Sequence, residues 1–574
     1  MITLPSMISN GMILGLNARI WGWAKGHPSV SLTFLNTTYS LTPDAEGLFE
    51  LELTFPDYGG PYTMEIGNIT LTDIYIGKVW LCSGQSNMEQ PLSRTSTRLG
   101  EFTQFDARIR CFQAEKNTKF DGPAMDVNGQ WHTYQGDQMA HLFAVPYFFA
   151  RKLLETDPHV KIGLLNVAAG GTPIEAWLPA TTPHPAPHPA TDWYSQLHQQ
   201  DLGIQENWHL PHYDDSQWEE RMLLDNHHAS SNAHGSVWFR KTITLAETLK
   251  TPICLAVGRV VDSIKVYVNG ALVHTVGYQY PPCELALPEG IFVPGKNVIV
   301  LRVEGQSNLP HFTAGKNYAL THHGGSIDLH GPWRVRVGAV MPPAPAGEWH
   351  YNVPGCVYNF MLAPVLKYPV SGVIWYQGES NVGRDHEYLD YFKQLVSLFR
   401  SHYGEDTPVI YNQLANYVSS PTGSGEAWAA LREAQRLALE IPNTAMSVSI
   451  DCGEYNDLHP QDKKTVGERL ALASQGHSGP LAKSAVIEVD QVRVTFDHGT
   501  GLWAKNGRPM LELVDEDGYV HFVYASTQGN QLCATFNPTK VGKVQLVRFG
   551  WTDCPPVTLY NAKGLPASSF SLGV

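Results

Sequence analysis

The chain has 574 residues, of which 43% are hydrophobic and 16% charged, with a formal net charge of −14. This length exceeds what one hydrophobic core supports and predicts about three to four domains, and the composition excludes a disordered or fibrous protein. The negative charge, without any cluster of Lys and Arg, argues against a nucleic-acid partner.

The N-terminus and the cysteines indicate the cellular compartment. The first residues lack the basic segment and apolar core of a signal peptide, and no apolar run reaches the roughly 18 residues of a membrane span. The eight cysteines are scattered without a C-x-x-C pair, which favours free thiols over disulfides. We therefore expect a soluble, cytoplasmic protein with no membrane partner, and the sequence leaves its oligomeric state open.

The first two predicted regions differ in their periodicity. Residues 1–72 alternate short strand patterns with Gly, Pro and Asp turns, which predicts a β-sandwich. Residues 73–200 place strand patterns before and after a helical pattern, which predicts the first part of a parallel α/β sheet. The predicted elements are a strand over 74–82, a helix over 141–155 and a strand over 160–167. The proline-rich stretch 183–189 then interrupts the pattern as a stiff segment.

Three further regions complete the predicted architecture. Residues 201–337 carry many short strand patterns and an Asn269-Gly270 hairpin signal, and they predict an inserted jelly-roll-like sandwich. Residues 338–480 resume the α/β pattern, and residues 481–574 predict a C-terminal β module. The resumed pattern predicts strands over 372–376, 408–411 and 445–450 and helices over 384–402, 426–440 and 461–475. The predicted fold class is α/β, with a parallel sheet domain split by an inserted β domain and flanked by β modules.

Ser86 is the candidate nucleophile. It follows a strand pattern and Gly84, at the point where a turn gives way to a helix. Such a turn exposes a hydroxyl at the edge of a sheet, beside main-chain N–H groups, as acyl transfer requires. The tetrapeptide alone is weak support, because Gly305-Gln-Ser-Asn308 repeats it after a strand of the insert, where we expect Ser307 to be a turn residue.

His459 is the candidate base for Ser86, and Asp457 is the carboxylate that would orient it. Both precede Pro460, which favours the first position of the following helix and places His459 in a loop at the strand ends. In an extended segment the side chains of Asp457 and His459 point to the same side, as a Ser-His-Asp triad needs. The alternative is that the two residues only cap the helix.

Two stretches at strand ends are candidates for an oxyanion hole. Gly170 and Gly171 follow one strand and let main-chain N–H groups approach a developing oxyanion, while Gln377 and Asn381 follow another and offer side-chain amides. Each stretch is as compatible with an ordinary turn.

Several classes of site are disfavoured by missing motifs. The sequence has no G-x-S-x-G elbow, no P-loop and no H-E-x-x-H helix, and its 24 histidines are dispersed. We expect no catalytic metal and no cofactor.

Four segments together resemble the sialate O-acetylesterase-like branch of the SGNH (GDSL-like) hydrolases. They are residues 80–88 (WLCSGQSNM), 169–177 (AGGTPIEAW), 372–381 (GVIWYQGESN) and 457–460 (DLHP) followed by 466–470 (VGERL). The insert, with Trp208, Trp218 and Val268-Asn-Gly270, looks like the sugar-binding jelly-roll of β-galactosidase-type glycosidases.

The resemblance implies roles for individual residues. Ser86 would be the nucleophile, His459 the general base and Asp457 its orienting acid. The N–H groups of Ser86 and Gly171, with an amide of Gln377 or Asn381, would bind the oxyanion. The third segment departs from the usual Gly-x-Asn-Asp of the SGNH pattern, so Glu379 competes with Asp457 as the partner of His459.

The resemblance implies a carbohydrate O-acetylesterase, a carboxylic ester hydrolase that acts on acetylated hemicellulose oligosaccharides of the xylan or xyloglucan type. A sialate O-acetylesterase is an alternative, for which Arg94 and Arg384 are candidate partners of the sialate carboxylate. The aromatic β modules would also suit a non-catalytic glycan-binding protein. The jelly-roll would suit a glycosidase, although no carboxylate pair for glycoside hydrolysis is apparent.

Overall fold

A computed structural model describes residues 1–95, 106–180, 193–225, 234–277, 283–306, 309–343, 350–418, 425–505 and 507–574. The protein is mixed α/β and rich in β-structure, which confirms the predicted class at that level. The chain divides into two compact units, residues 1–186 with 350–574 and residues 187–349. The proline-rich stretch 183–189 and Ser307 lie outside the described residues. None of the described helices is long and apolar enough to cross a bilayer.

A seven-stranded sheet at the centre of the first unit positions the candidate site. All its neighbouring strands run parallel except at one antiparallel edge. Trp80 and Gly372 are in register, so strands from both sides of residues 187–349 lie in this one sheet. Across the sheet the strands are Gly129–His132, Ile109–Ala114, Ile162–Ala168, Lys78–Gly84, Gly372–Tyr376, Val409–Asn412 and Thr444–Ser447.

Helices pack in pairs in this unit. Ala144–Thr156 contacts Lys463–Ser474, and Asp385–Tyr403 contacts Ala427–Leu437. The first pair packs closely, because a Cβ on Gly467 would lie 2.6 Å from the carbonyl oxygen of Val145. Shorter α-helical segments are Ser86–Glu89, Ala363–Val365 and Pro538–Val541.

Two local predictions were wrong. The single strand predicted over 74–82 is two strands in different sheets, Ile69–Ile76 and Lys78–Gly84, separated at Gly77, whose Cβ would lie 2.3 Å from the Lys161 carbonyl oxygen. Pro460 does not occupy the first position of the last helix, which was predicted over 461–475 and spans Lys463–Ser474, because the Asp462 side chain caps it by accepting from the Thr465 N–H.

Two β modules of the same unit flank the central sheet. The N-terminal module has a five-stranded sheet of Ile13–Leu14, Ile69–Ile76, Gly59–Ile66, Val30–Phe34 and Thr37–Leu41, and a pair of Asn17–Trp23 with Leu48–Thr54. The C-terminal module has a seven-stranded sheet of Leu481–Glu488, Gln491–Asp497, Gln531–Thr535, Val520–Gln528, Met510–Asp515, Val544–Phe549 and Phe570–Gly573, and a pair of Trp503–Ala504 with Leu559–Tyr560. Buried Arg432 joins this module to the α/β part through bonds to the Asp553 carbonyl and the Ser569 hydroxyl.

The second unit is a β domain with two short helices, Trp193–Gln200 and Leu202–Gln205. Its tryptophans Trp208, Trp218 and Trp238 are buried against one another, so these aromatic side chains are part of its core. Its larger sheet contains Glu219–Met222, Pro332–Met341, His234–Leu245, Gly295–Gly305, Ser263–Val268 and Ala271–Val276. Its smaller sheets contain Glu284–Leu287, Ile253–Val257, Tyr318–His322 and Gly325–Asp328, and Val260–Val261 with His311–Phe312.

Candidate active site

Ser86 stands at the carboxyl end of the central strand Lys78–Gly84, where a sharp turn leads directly into the helix Ser86–Glu89. The turn depends on Gly84, which has a φ of +139° and whose Cβ would lie 2.1 Å from the Tyr376 carbonyl oxygen. The same carbonyl accepts the Gln85 N–H at 3.0 Å. Ser86 is consequently held by the neighbouring strand and stays half-buried at the sheet edge.

His459 lies beside Ser86, with its Nε2 atom 2.6 Å from the Ser86 Oγ. It belongs to the loop between the last parallel strand, Thr444–Ser447, and the helix Lys463–Ser474. A neutral imidazole with its proton on Nδ1 leaves Nε2 to accept the serine hydroxyl hydrogen. The contact therefore has the geometry of a nucleophile and its general base.

Asp457 is buried in the same loop, and one of its carboxylate oxygens accepts the His459 main-chain N–H at 2.9 Å. This bond closes a tight turn around Leu458, where the sequence predicted an extended segment. The carboxylate thereby fixes the main chain that carries the imidazole.

The Gly170-Gly171 turn approaches Ser86 from the strand Ile162–Ala168. The Gly170 N–H donates to the Glu89 Oε1 at 3.1 Å, and a Cβ on Gly170 would lie 3.2 Å from the Ser86 Cβ. Gly171 is exposed and has a φ of +76°, a conformation that favours glycine. The turn thus places main-chain groups beside the serine.

Gln377 and Asn381 are fully buried beneath that turn. The Gln377 Nε2 donates to the Asn381 Oδ1 at 2.7 Å and to the Thr172 carbonyl oxygen at 3.2 Å. The Asn381 Oδ1 also accepts the Ile174 N–H at 2.9 Å, and its Nδ2 donates to Glu175. Both hydrogens of the Gln377 amide are used in these bonds, and the two side chains support residues 172–175. An oxyanion role for either amide stays a prediction.

Glu379 does not take the place of Asp457 in the described contacts. Its Oε1 accepts the Asn87 Nδ2 at 2.5 Å, and burial raises the pKa of its carboxyl, against the opposing effects of its own N–H, Asn87 and Lys463. Lys463 is fully buried on the other side of Asn87. Sequence reasoning missed Asn87 and Lys463, and the available signal was a lysine four residues after His459 at the start of the last predicted helix.

Of the two candidate partners of a sialate carboxylate, Arg384 already forms an ion pair through its guanidinium. The Arg384 guanidinium forms an ion pair with Glu175 at 2.6 Å and a longer one with Glu387 at 3.6 Å. Arg94 is half-buried at the end of a short 3-10 helix, and Gln90 donates to its carbonyl oxygen.

No cluster of three or more His, Cys, Asp and Glu side chains that could hold a metal occurs within the described ranges. All eight cysteines are free thiols in the structure. Burial raises the pKa of Cys82 and Cys111, in the strands next to the site, so these thiols stay protonated and inert.

Residues 76–199 and 347–475 match the family described as "carbohydrate esterase, sialic acid-specific acetylesterase". The sialate O-acetylesterase of Rattus norvegicus is 22% identical across 99% of this chain and 93% of the rat protein. The Homo sapiens enzyme is 30% identical in an alignment of 201 positions that covers 30% of this chain and 38% of the human protein. The match to the Mus musculus enzyme covers 42% of that protein. A solved carbohydrate acetylesterase from Xanthomonas citri has the same fold, with a TM-score of 0.67, 22% identity and full coverage of both chains.

Proposed function

We propose that Ser86, His459 and Asp457 hydrolyse acetyl esters of sugars. The match of residues 76–199 and 347–475 to the sialic acid-specific acetylesterase family of carbohydrate esterases supports this proposal. The family assignment agrees with the resemblance in the sequence and with the class of carboxylic ester hydrolase. The observation that carries the proposed roles is the 2.6 Å contact between the Ser86 Oγ and the His459 Nε2. This contact lies at the carboxyl ends of parallel strands, where sheets of this type build their sites.

The proposed reaction has two steps. Ser86 attacks the acetyl carbonyl while His459 accepts its proton, and the sugar hydroxyl leaves with that proton to give an acetyl-serine. Water, deprotonated by His459, then attacks the acetyl-serine, and acetate is released as His459 returns the proton to the Ser86 Oγ. Asp457 orients His459 and stabilises its charged form.

We propose that main-chain N–H groups of Ser86 and Gly171 stabilise the tetrahedral oxyanion. The approach of the Gly170 turn to Ser86 supports this assignment. Gln377 and Asn381 then act indirectly, because their amides hold the segment 172–175 that follows the turn. Glu379 acts through Asn87 and does not orient the imidazole.

We propose neutral acetylated hemicellulose oligosaccharides, of the xylan or xyloglucan type, as the substrate class. The Arg384 ion pair with Glu175 supports a neutral substrate, because a sialate carboxylate would have to compete with it. The second candidate is an O-acetylated sialic acid, which the description of the family and the rat relative favour. A purely glycan-binding protein is disfavoured, since binding alone needs no serine and histidine in hydrogen-bond contact.

The finer architecture is part of the same proposal. We assign residues 73–200 and 338–480 to one SGNH hydrolase domain, residues 201–337 to an inserted sugar-binding jelly-roll, and residues 1–72 and 481–574 to flanking β modules. The single sheet built from both halves of the α/β region supports this division. The cytoplasmic location predicted from the sequence stays a prediction.

The test measures acetate released from acetylated xylo-oligosaccharides, acetylated xyloglucan fragments and O-acetyl sialic acid in parallel. We expect release from the neutral oligosaccharides, and its loss by roughly 10³-fold or more in Ser86→Ala and in His459→Gln. His386→Gln, at an exposed histidine of the same unit, is the matched control and keeps wild-type turnover. Release from none of the three substrates contradicts the proposed function, and release from the sialic acid alone selects the second candidate.

A further inference from the structure

A polar cluster of buried Lys463, buried Asn87 and half-buried Glu379 lies next to the serine and the histidine. The Lys463 side chain is 0% exposed, Asn87 is 1% exposed, and the Glu379 Oε2 atom is buried without a hydrogen-bond partner among the described residues. Burying an ammonium and a carboxylate is costly unless they are paired and hydrogen-bonded. The cost of burying these charged groups favours a functional role for the cluster over a purely stabilising one.

Asn87 joins the two charged groups through its amide. Its Oδ1 accepts the Lys463 Nζ at 2.6 Å, and its Nδ2 donates to the Glu379 Oε1 at 2.5 Å. A cation on the oxygen and a carboxylate on the nitrogen fix which way the amide points, because a flipped amide would face each charge with the wrong atom. Asn87 follows Ser86 directly, so this fixed amide also fixes the first turn of the serine's helix.

The same cluster holds the loop of His459 on both sides. The Asn87 Nδ2 donates to the Leu458 carbonyl oxygen at 3.0 Å, and the Lys463 Nζ donates to the Pro460 carbonyl oxygen at 2.6 Å. Leu458 and Pro460 are the chain neighbours of His459. Three side chains therefore tie the segment that carries the nucleophile to the segment that carries the base.

The charges make these bonds stronger than neutral ones, at a cost in desolvation. Burial lowers the pKa of the Lys463 ammonium to about 8, while Asp457, Glu379, Cys452 and Glu454 act in the opposite direction. Lys463 is thus still mainly charged at neutral pH and donates to the Asn87 Oδ1 and to the Pro460 carbonyl oxygen.

We propose that Lys463, Asn87 and Glu379 act as one positioning unit that keeps the Ser86 hydroxyl within hydrogen-bond reach of the His459 imidazole. The inference rests on the proposed function, because it assigns a purpose to the distance between those two groups. Their described side-chain hydrogen bonds are with one another and with main-chain carbonyl oxygens, so they position the reacting groups and do not take part in the chemistry. A reacting pair displaced by about 1 Å loses on the order of 10² in rate, which sets the expected size of the effect.

The experiment compares Lys463→Met and Glu379→Gln with Lys464→Met, which removes the same charge at the next, exposed helix position. Two rates are measured below each variant's melting temperature: turnover of an acetyl ester, and phosphonylation of Ser86 by a p-nitrophenyl phosphonate, which needs no sugar recognition. We expect Lys463→Met and Glu379→Gln to lower kcat and the phosphonylation rate by about 10- to 100-fold with KM within about twofold. Lys464→Met stays at the wild-type values.

The double variant Lys463→Met/Glu379→Gln separates a positioning unit from two unrelated structural effects. If the three residues act as one unit, its loss of rate equals that of the more affected single variant, whereas independent effects multiply. Wild-type rates in either folded single variant, or multiplied losses in the double variant, overturn the inference. If Lys463→Met does not fold, the kcat and phosphonylation rate of Glu379→Gln decide alone. A wild-type protein that neither turns over esters nor reacts with the phosphonate overturns the proposed function as well. Failure of the proposed function is therefore distinguishable from failure of the positioning role, which is judged on the variants of an active wild type.

Discussion

The Nε2 atom of His459 lies 2.6 Å from the Oγ atom of Ser86, although 373 residues separate the two in the chain. Their meeting depends on the register of the central sheet, in which the strand leading to Ser86 is hydrogen-bonded between Ile162–Ala168 and Gly372–Tyr376. Substitutions near Ser86 and His459 therefore test the proposed reaction.

Gly170 is close enough to Ser86 for one methyl group to disturb the serine. An alanine Cβ there would lie 2.8 Å from the Glu89 Oε1 and 3.2 Å from the Ser86 Cβ, while the backbone keeps a conformation that alanine adopts. We expect Gly170→Ala to lower kcat by about tenfold or more, since small displacements of a nucleophile are costly. Gly573→Ala, with no atom within 4 Å of the new Cβ, is the control, and equal kcat in the two variants would disprove the prediction.

Arg384 should support the site without selecting the substrate. Its guanidinium pairs with Glu175, whose carboxylate also accepts from the Asn381 Nδ2. We expect Arg384→Gln to change kcat/KM by the same factor for O-acetyl sialic acid and for an acetylated xylo-oligosaccharide. A loss confined to the sialic acid would instead assign Arg384 to carboxylate recognition.

Glu379 should make stability depend on pH in a specific direction. Burial raises the pKa of its carboxyl above the ordinary value of 4.5, so the folded protein binds this proton more tightly than the unfolded chain. The contribution of the Glu379 carboxyl to the free energy of unfolding is fully present below about pH 4.5, where the carboxyl is protonated. This contribution is lost as the pH rises through the raised pKa. The melting temperature of Glu379→Gln minus that of the wild type should therefore increase from pH 4.5 upward and then level off, and a difference that decreases with pH would be contrary to this pKa direction.

The strands and helices around Ser86 and His459 could be predicted because each has a strand or helix periodicity within its own short stretch of sequence. The sequence did not reveal the break at Gly77, because the apolar pattern continues from the strand of one sheet into the strand of the next. The break is visible only in the structure, where the Lys161 carbonyl oxygen lies so close to Gly77 that no side chain fits there. Lys463, Asn87 and Glu379 belong to three separate stretches, so their cluster follows from register and not from any local pattern. The bonds of the Gln377 and Asn381 amides to residues 172–175 could not be predicted either, since an amide has the same sequence signature whether it supports a loop or faces a ligand.

The most direct test of the proposed mechanism is to identify the residue that a p-nitrophenyl phosphonate modifies. The inactivated protein is digested, and the modified peptide is located by mass spectrometry, with Ser86→Ala treated in parallel. We expect one phosphonyl group on Ser86, appearing at the rate at which acetate release is lost, and no modification of Ser86→Ala. An adduct on Ser307 or another residue, or acetate release that persists in Ser86→Ala, would refute the role of Ser86 as the nucleophile.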